Sequence, residues 1–204
     1  MHTPSLNAHP LRPLRLRTLT LATLLGLAVL PMTGCVPVIA VGAGTGILMA
    51  EDRRTSGTFL MDEEIELRAG SRIREAHGRN THVNVTSYNR RALLTGEVPD
   101  DNTRDQVKGI VKAVPNVREV QNELLIAPPS SFGARSNDAF ITAKVKTRLF
   151  DDKRLNAHQV KVVTEAGTVF LMGILKKDEA DAAAEIAAQT PGVSKVVKIF
   201  EEMD

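Results

Sequence analysis

Residues 160–173 read VKVVTEAGTVFLMG, and residues 83–96 read VNVTSYNRRALLTG. In the first of these stretches apolar residues alternate on both sides of Glu165-Ala166-Gly167, which predicts two strands joined by a hairpin turn. The other stretch shows the same pattern in the first half of the chain, so that Gly96 falls on Gly173. We therefore expect one β-hairpin unit to occur twice in the chain.

The repeat extends beyond the hairpins, because the flanking segments also match at a nearly constant offset. Ile65 falls on Ile141 in a segment of helical period, and Pro115 falls on Pro191 after a second helical segment. Each copy thus predicts αββαβ, an α+β fold in which two helices pack on a three-stranded mixed sheet. The predicted domains span residues 60–127 and 136–204. The linker of residues 128–135 is short, so we expect the domains to contact each other.

Composition argues against a disulfide-stabilised protein and against a nucleic-acid-binding protein. The 204 residues include one Cys, so no internal disulfide is available. There are 26 Lys and Arg against 24 Asp and Glu, and three of the arginines lie in residues 1–34. The remaining chain is nearly neutral, which gives no reason to expect a nucleic-acid partner.

Residues 1–34 have the layout of a secretory signal peptide. Three arginines precede an apolar run from Leu19 to Leu30, which is too short to span a bilayer. The next residues, Met32-Thr33-Gly34-Cys35, resemble the lipobox of bacterial lipoproteins. That resemblance implies acylation of Cys35, with palmitate among the acyl chains, and Val36 in place of Asp implies sorting to the outer membrane. The alternative is a structural Cys after the cleaved signal of a soluble protein.

Residues 35–59 are predicted to form an apolar and then polar tether. The glycines at positions 42, 44 and 46 lack the G-x-G-x-x-G spacing of a dinucleotide-binding turn. No cofactor is therefore expected at this segment.

Both repeats resemble the BON domain, through the glycines Gly96 and Gly173 that close the second strands and the Pro-x-Val-x-x-Val sequences that open the last ones. With the lipobox, the tether and Asp52-Arg53-Arg54-Thr55-Ser56-Gly57-Thr58, the whole plan resembles the DolP family of dual-BON outer-membrane lipoproteins. The resemblance implies a non-enzymatic, lipid-anchored protein on the periplasmic face of the outer membrane. It also implies binding of anionic phospholipid by the second domain, association with division sites and with the β-barrel assembly machinery, and a role in envelope integrity.

Charge independently distinguishes the first helices of the two copies. Residues 62–76 hold five acidic and three basic residues, whereas residues 137–150 hold one acidic and three basic residues. An anionic membrane attracts the second helix by about 1 kcal/mol per basic residue near its surface. The second copy is therefore the predicted membrane-binding domain.

Helical angles predict which residues of that helix face outward. Ile141, Val145 and Leu149 form the stripe that packs on the sheet, and Phe140 lies on the opposite side. The alternative is that Phe140 packs on the linker or on the other domain and that the basic residues are only solvated. The predicted phospholipid-binding residues are Phe140, Lys144, Lys146, Thr147, Arg148 and Phe150.

Nothing in the sequence predicts catalysis or a metal site. His77, His82 and His158 have no metal-binding spacing, and the acidic pairs Asp100-Asp101 and Asp151-Asp152 suit helix caps and turns. A soluble periplasmic stress-response or chaperone-like dual-BON protein without a lipid site is the alternative function. A scaffold that binds a protein through sheet edges or through the acidic first domain is compatible with membrane binding.

Overall fold

The computed structural model describes residues 52–78 and 81–203. The predicted signal peptide, Cys35 and most of the predicted tether lie outside these residues. The described part consists of two αββαβ domains, which confirms the predicted fold class. Both domains belong to one compact unit.

Domain 1 has a mixed sheet with β2 at its centre. β1 pairs with β2 in antiparallel fashion, and β3 and β4 both pair with β2 in parallel fashion. Its elements are α1 (Ser56–His77), β1 (His82–Tyr88), β2 (Arg91–Val98), α2 (Asp101–Lys112), β3 (Glu119–Asn122) and β4 (Leu125–Ile126).

Domain 2 repeats this arrangement with an unbroken last strand. The sheet order is β5-β6-β7, with β6 antiparallel to β5 and parallel to β7. Its elements are α3 (Phe132–Asp151), a 3-10 turn (Ala157–Gln159), β5 (Lys161–Glu165), β6 (Thr168–Leu175), α4 (Lys177–Ala188) and β7 (Lys195–Glu202).

Both first helices begin earlier than predicted. The sequence pattern places their starts near residues 62 and 137, where apolar periodicity sets in, but α1 begins at Ser56 and α3 at Phe132. Hydroxyl caps explain the difference, because Thr55 accepts from the Thr58 amide at 3.1 Å and Ser131 accepts from the Ala134 amide at 3.2 Å. The last residues of the predicted tether and linker are therefore helical.

A buried aspartate joins each first helix to its hairpin. Asp62 of α1 accepts hydrogen bonds from the Asn89 and Arg90 amides at 2.8 and 2.7 Å. Asp138 of α3, at the equivalent position, accepts from the amides of residues 166 and 167, both at 2.9 Å. These turn residues have positive φ in both hairpins, as a two-residue turn of this type requires.

Each domain has its own core between its helices and one face of its sheet. In domain 1 the core is formed by Ile65, Ala69, Ile73, Ala92, Leu94, Val98, Val107, Val111, Val114 and Leu124. In domain 2 the equivalent core is formed by Ile141, Val145, Leu149, Leu155, Val160, Val162, Val169, Leu171, Leu175, Ala180, Ala182, Ala183, Ile186 and Ala187.

The opposite faces of the two sheets pack against each other, which confirms the predicted contact between domains. The buried residues of this interdomain core are Tyr88, Leu93, Phe170, Met172 and Ile199. Because β2 and β6 are covered on both faces, nearly all of their residues are buried. This explains why β6 is apolar almost throughout, a pattern typical of strands between two layers, whereas β2 also buries the polar residues Thr95 and Glu97.

The segment before α1 is bound to both domains. Arg53 donates to both carboxylate oxygens of Glu179, at 2.7 and 2.8 Å, and to the Ile174 carbonyl. Arg54 donates to Asp62 at 2.8 Å and lies 4.0 Å from the centre of the Tyr88 ring. Residues predicted to be a polar part of the tether therefore fasten α1 to β6 and α4.

Candidate functional site

Helix α3 has the orientation that its sequence predicts. Ile141, Val145 and Leu149 are at most 1% exposed and pack in the core of domain 2. Phe140, on the opposite side, is 63% exposed. The alternative in which Phe140 packs on the linker or on domain 1 is therefore wrong.

Three phenylalanines are exposed along this helix, namely Phe132, Phe140 and Phe150. At 100° per residue they lie within an arc of about 80°, and at 1.5 Å per residue they extend over about 27 Å. Half of the six phenylalanines of the chain are thus on one solvent-facing helix surface. Sequence reasoning missed Phe132 because it assigned this residue to the linker, although it follows the hydroxyl cap Ser131.

Four of the six predicted residues line one groove, on the side of α3 that faces the end of α4. Its volume is about 310 Å³. The ammonium nitrogen of Lys144 lies 4.8 Å from the centre of the Phe140 ring. The lining residues are Phe140, Ala143, Lys144, Thr147, Arg148, Thr190 and Pro191. The groove therefore combines an aromatic ring, apolar walls and two cations.

The other two predicted residues line a second hollow, of about 200 Å³. Lys146 and Phe150 form its rim, and the Phe150 ring meets His158 edge-on at 5.0 Å between ring centres. The structure thus divides the predicted site between two hollows of the same helix. Thr190, Pro191 and His158 were not among the predicted site residues, because they come from segments distant in sequence.

Two of the predicted cations also have a structural role. Lys144 donates to the Pro191 carbonyl, and Arg148 donates to the Gln189 carbonyl at 2.8 Å. In domain 1, Arg72 donates to the Ala113 carbonyl at 3.0 Å, which is the equivalent contact in the repeat. The contact of Arg148 is therefore also structural, because in both domains an arginine of the first helix binds a carbonyl at the negative, C-terminal end of the second helix.

The equivalent surface of α1 has a different chemistry. Glu64 occupies the position of Phe140, and it pairs at 2.6 Å with Arg68, which occupies the position of Lys144. Across their full lengths α1 carries two more acidic than basic residues, whereas α3 carries two more basic than acidic residues. The aromatic and basic surface is therefore specific to domain 2.

The structure also brings together groups that sequence spacing does not connect. His82, Glu97 and Glu165 place one potential metal-ligand atom each within 4.8 Å of the others. The first two residues belong to domain 1 and the third belongs to domain 2. No other such group was found among residues 52–78 and 81–203.

Comparison with known proteins identifies both repeats. The family model of the BON domain matches residues 62–128 and 137–201, so the chain is a tandem of two BON domains. Outer membrane lipoprotein DolP of Haemophilus influenzae is 40% identical over 90% of this chain and 96% of its own length. The chain belongs to the DolP family of dual-BON proteins.

Two further relatives cover less of the chain. A protein named 21 kDa hemolysin, from Actinobacillus pleuropneumoniae, is 35% identical over 73% of this chain and 78% of its own length. Osmotically-inducible protein Y of Escherichia coli is 25% identical over 69% of this chain and 72% of its own length. Within the described part of the chain, no helix has the length and apolar character needed to cross a membrane.

Proposed function

We propose that this protein is an outer-membrane lipoprotein, anchored through acylated Cys35 and facing the periplasm, whose second domain binds anionic phospholipid through α3. The likeness to Outer membrane lipoprotein DolP supports the location. The lipobox-like sequence at residues 32–35 supports the anchor. Its role is to support outer-membrane integrity by accumulating where the lipid composition suits α3.

The lipid-binding part of the proposal rests on the exposed aromatic rings beside basic groups on α3. A large apolar side chain that faces water gains about 1.5–3 kcal/mol when it becomes buried in lipid. The ammonium of Lys144 near Phe140 provides a charge for the phosphate of a headgroup at the same depth. Domain 1 has Glu64 where domain 2 has Phe140, so it has no aromatic ring at this position, and the cation at the position of Lys144, Arg68, is paired with Glu64.

The experiment is co-sedimentation of residues 52–204 with vesicles of zwitterionic or anionic phospholipid, at low and high salt. This fragment contains both domain cores and the interdomain core, and it retains Arg53 and Arg54. We expect binding to anionic vesicles that weakens at high salt. We expect Phe140→Ala to lower the partition coefficient about tenfold, which corresponds to about 1.4 kcal/mol.

The matched control is Leu67→Ala, which removes an exposed apolar side chain from α1. It is expected to leave vesicle binding unchanged. Equal losses in the two variants would contradict a site on α3. Absence of binding at every salt concentration would leave only the acyl chains to hold the protein on the membrane.

The anchor is tested separately in the full chain by mass spectrometry of the N-terminal peptide and by cell fractionation. We expect acyl chains on Cys35 and release of the Cys35→Ser variant from the membrane fraction. Unmodified Cys35 in a soluble wild-type protein would instead favour the soluble stress-response or chaperone-like function.

The family resemblance extends the proposal to division sites and to the β-barrel assembly machinery. The acidic helix α1 is the surface proposed for a protein partner. Asp62 and Glu66 are unsuitable for testing it, because Asp62 holds the hairpin and Glu66 accepts from Lys161 and the Ser87 amide. Exposed Glu64 and Leu67 are the appropriate positions, and crosslinking from them should capture the partner while crosslinking from α3 should not.

A further inference from the structure

A cluster of metal-ligand side chains lies at the seam between the two domains. The Nδ1 atom of His82 is 2.9 Å from a carboxylate oxygen of Glu97, and Glu165 approaches both from the hairpin of domain 2. Glu97 and Glu165 are 4% and 5% exposed. The imidazole of His82 is partly exposed, which leaves a path to the cluster from solvent.

The cluster contains more negative charge than its surroundings compensate. Among the described residues, no lysine or arginine lies within ion-pair distance of Glu97 or Glu165. The neutral donors are the Ser130 amide at 3.0 Å from Glu97 and the Asn84 amide group at 3.1 Å from Glu165. Two nearly buried carboxylates that face each other with one histidine and no lysine or arginine as a basic partner among the described residues favour a bound cation.

The ligand types indicate which cation fits. We infer that the seam holds a site for a divalent transition-metal ion of the Zn²⁺ type, with His82, Glu97 and Glu165 as ligands. Imidazole nitrogen with carboxylate oxygens suits zinc, whereas calcium and magnesium prefer oxygen ligands alone. Zinc takes such ligands at about 2.0–2.2 Å, which places neighbouring ligand atoms about 3.4 Å apart in a tetrahedron, so the three side chains have to adjust to bind it. A water molecule then completes four-fold coordination.

The proposed site connects the two domains, because its ligands come from β1, β2 and the end of β5. Glu165 immediately precedes Ala166, whose amide is held by Asp138 of α3. A metal ion at this position therefore ties the sheet of domain 1 to the hairpin on which α3 rests. Since the metal binds only when the domains are packed, it should raise the stability of the whole unit.

The experiment is isothermal titration of residues 52–204 with ZnCl₂, with CaCl₂ and MgCl₂ as comparisons. We expect one zinc ion per chain, a higher thermal midpoint with zinc, and a visible absorption band when Co²⁺ replaces zinc. His82→Ala and Glu165→Gln should each weaken binding at least tenfold. The matched control His158→Ala removes an imidazole outside the cluster and should bind zinc as the wild type does.

His82→Asn separates loss of the ligand from loss of the fold, because its amide can still donate to Glu97. Circular dichroism without metal should show that this variant is folded, while its zinc affinity falls as in His82→Ala. Absence of saturable zinc binding to the wild type would overturn the inference. Unchanged zinc affinity in both His82 variants would overturn it as well, as would equal binding of zinc and calcium.

Discussion

At the scale of single residues, Asp62 and Asp138 are acidic side chains buried inside their domains. Both are nearly buried in the first turns of the predicted helical segments, and both use their carboxylates to hold hairpin amides. Asp62 is also paired with Arg54. The repeat places the two aspartates at equivalent positions in the sequence. Only the structure shows what they bind, because the hairpin amides follow the rest of the helix and the first strand in the chain.

We therefore predict that Asp138→Asn lowers the free energy of unfolding by about 2–3 kcal/mol, since one of its two charged hydrogen bonds becomes a contact between two donors. Urea denaturation of residues 52–204 measures this. Asp151→Asn, at the exposed end of the same helix, should change the value by less than about 0.5 kcal/mol. A variant Asp138→Asn as stable as the wild type would show that the hairpin does not depend on this contact.

At the scale of secondary structure, glycine is required where an element passes close to another backbone. Gly96 has φ of 110°, and a β-carbon at this position would lie 2.0 Å from the His82 carbonyl oxygen. A β-carbon on Gly173 would lie 2.6 Å from the Gln159 carbonyl oxygen. These contacts explain physically why glycine occupies the equivalent position in the second strand of both domains, although each strand continues beyond it, to Val98 and to Leu175.

The arginines at equivalent positions of α1 and α3 provide a prediction that separates fold from function. Arg72→Gln and Arg148→Gln should each lower the free energy of unfolding by about 0.5–1 kcal/mol, because each removes a cation from the end of a helix. Only Arg148→Gln should also weaken binding to anionic vesicles. Equal effects of both variants on vesicle binding would contradict a specific role for α3.

Sequence alone predicts the repeated elements, the inward stripe of α3 and the outward position of Phe140, because these follow from local periodicity. It does not predict the interdomain core, since β6 gives the same apolar run whether its second face meets a sheet or another layer. It also does not predict the cluster of His82 and Glu165, which belong to different repeats and meet only when the sheets pack. The early start of α3 was missed because the cap Ser131 lies in a segment rich in proline and serine.

At the scale of the whole molecule, ion pairs and hydrogen bonds at the rim support the interdomain core. Lys161 of domain 2 donates to Glu66 of α1 at 2.7 Å, and Asn89 donates to Glu201 of β7 at 3.0 Å. Arg53 holds Glu179 with two hydrogen bonds, and this pairing lowers the pKa of Glu179 below its ordinary value of 4.5. The two domains should therefore unfold in one transition.

The lowered pKa of Glu179 makes a prediction about acid stability. A carboxyl group with a lowered pKa in the folded state contributes stability above about pH 4.5, and that contribution is lost as the pH falls through the folded-state value. Glu179→Gln, which can still accept from the Lys176 amide, should cost about 1 kcal/mol at pH 7. The difference from wild type should shrink as the pH falls below about 4.5 and disappear once the pH lies below the folded-state pKa of Glu179.

Denaturation of both proteins across this pH range is the measurement. Asp181→Asn, which removes an exposed partner of Lys198, is the control and should change stability by less than about 0.5 kcal/mol. A difference between wild type and Glu179→Gln that does not shrink as the pH falls below about 4.5 would show that the Arg53 pairing is not its source.

The two sheets meet through equivalent faces, since Leu93 of one repeat corresponds to Phe170 of the other. Contact through equivalent faces resembles the interface of an isologous dimer, in which a surface is complementary to its own copy. Domain 2 expressed alone, with Phe170, Met172 and Ile199 uncovered, should pair with a second copy, and light scattering would find it at twice its chain mass. In the tandem chain each of these two faces covers the other, which leaves the helices of both domains as outer surfaces.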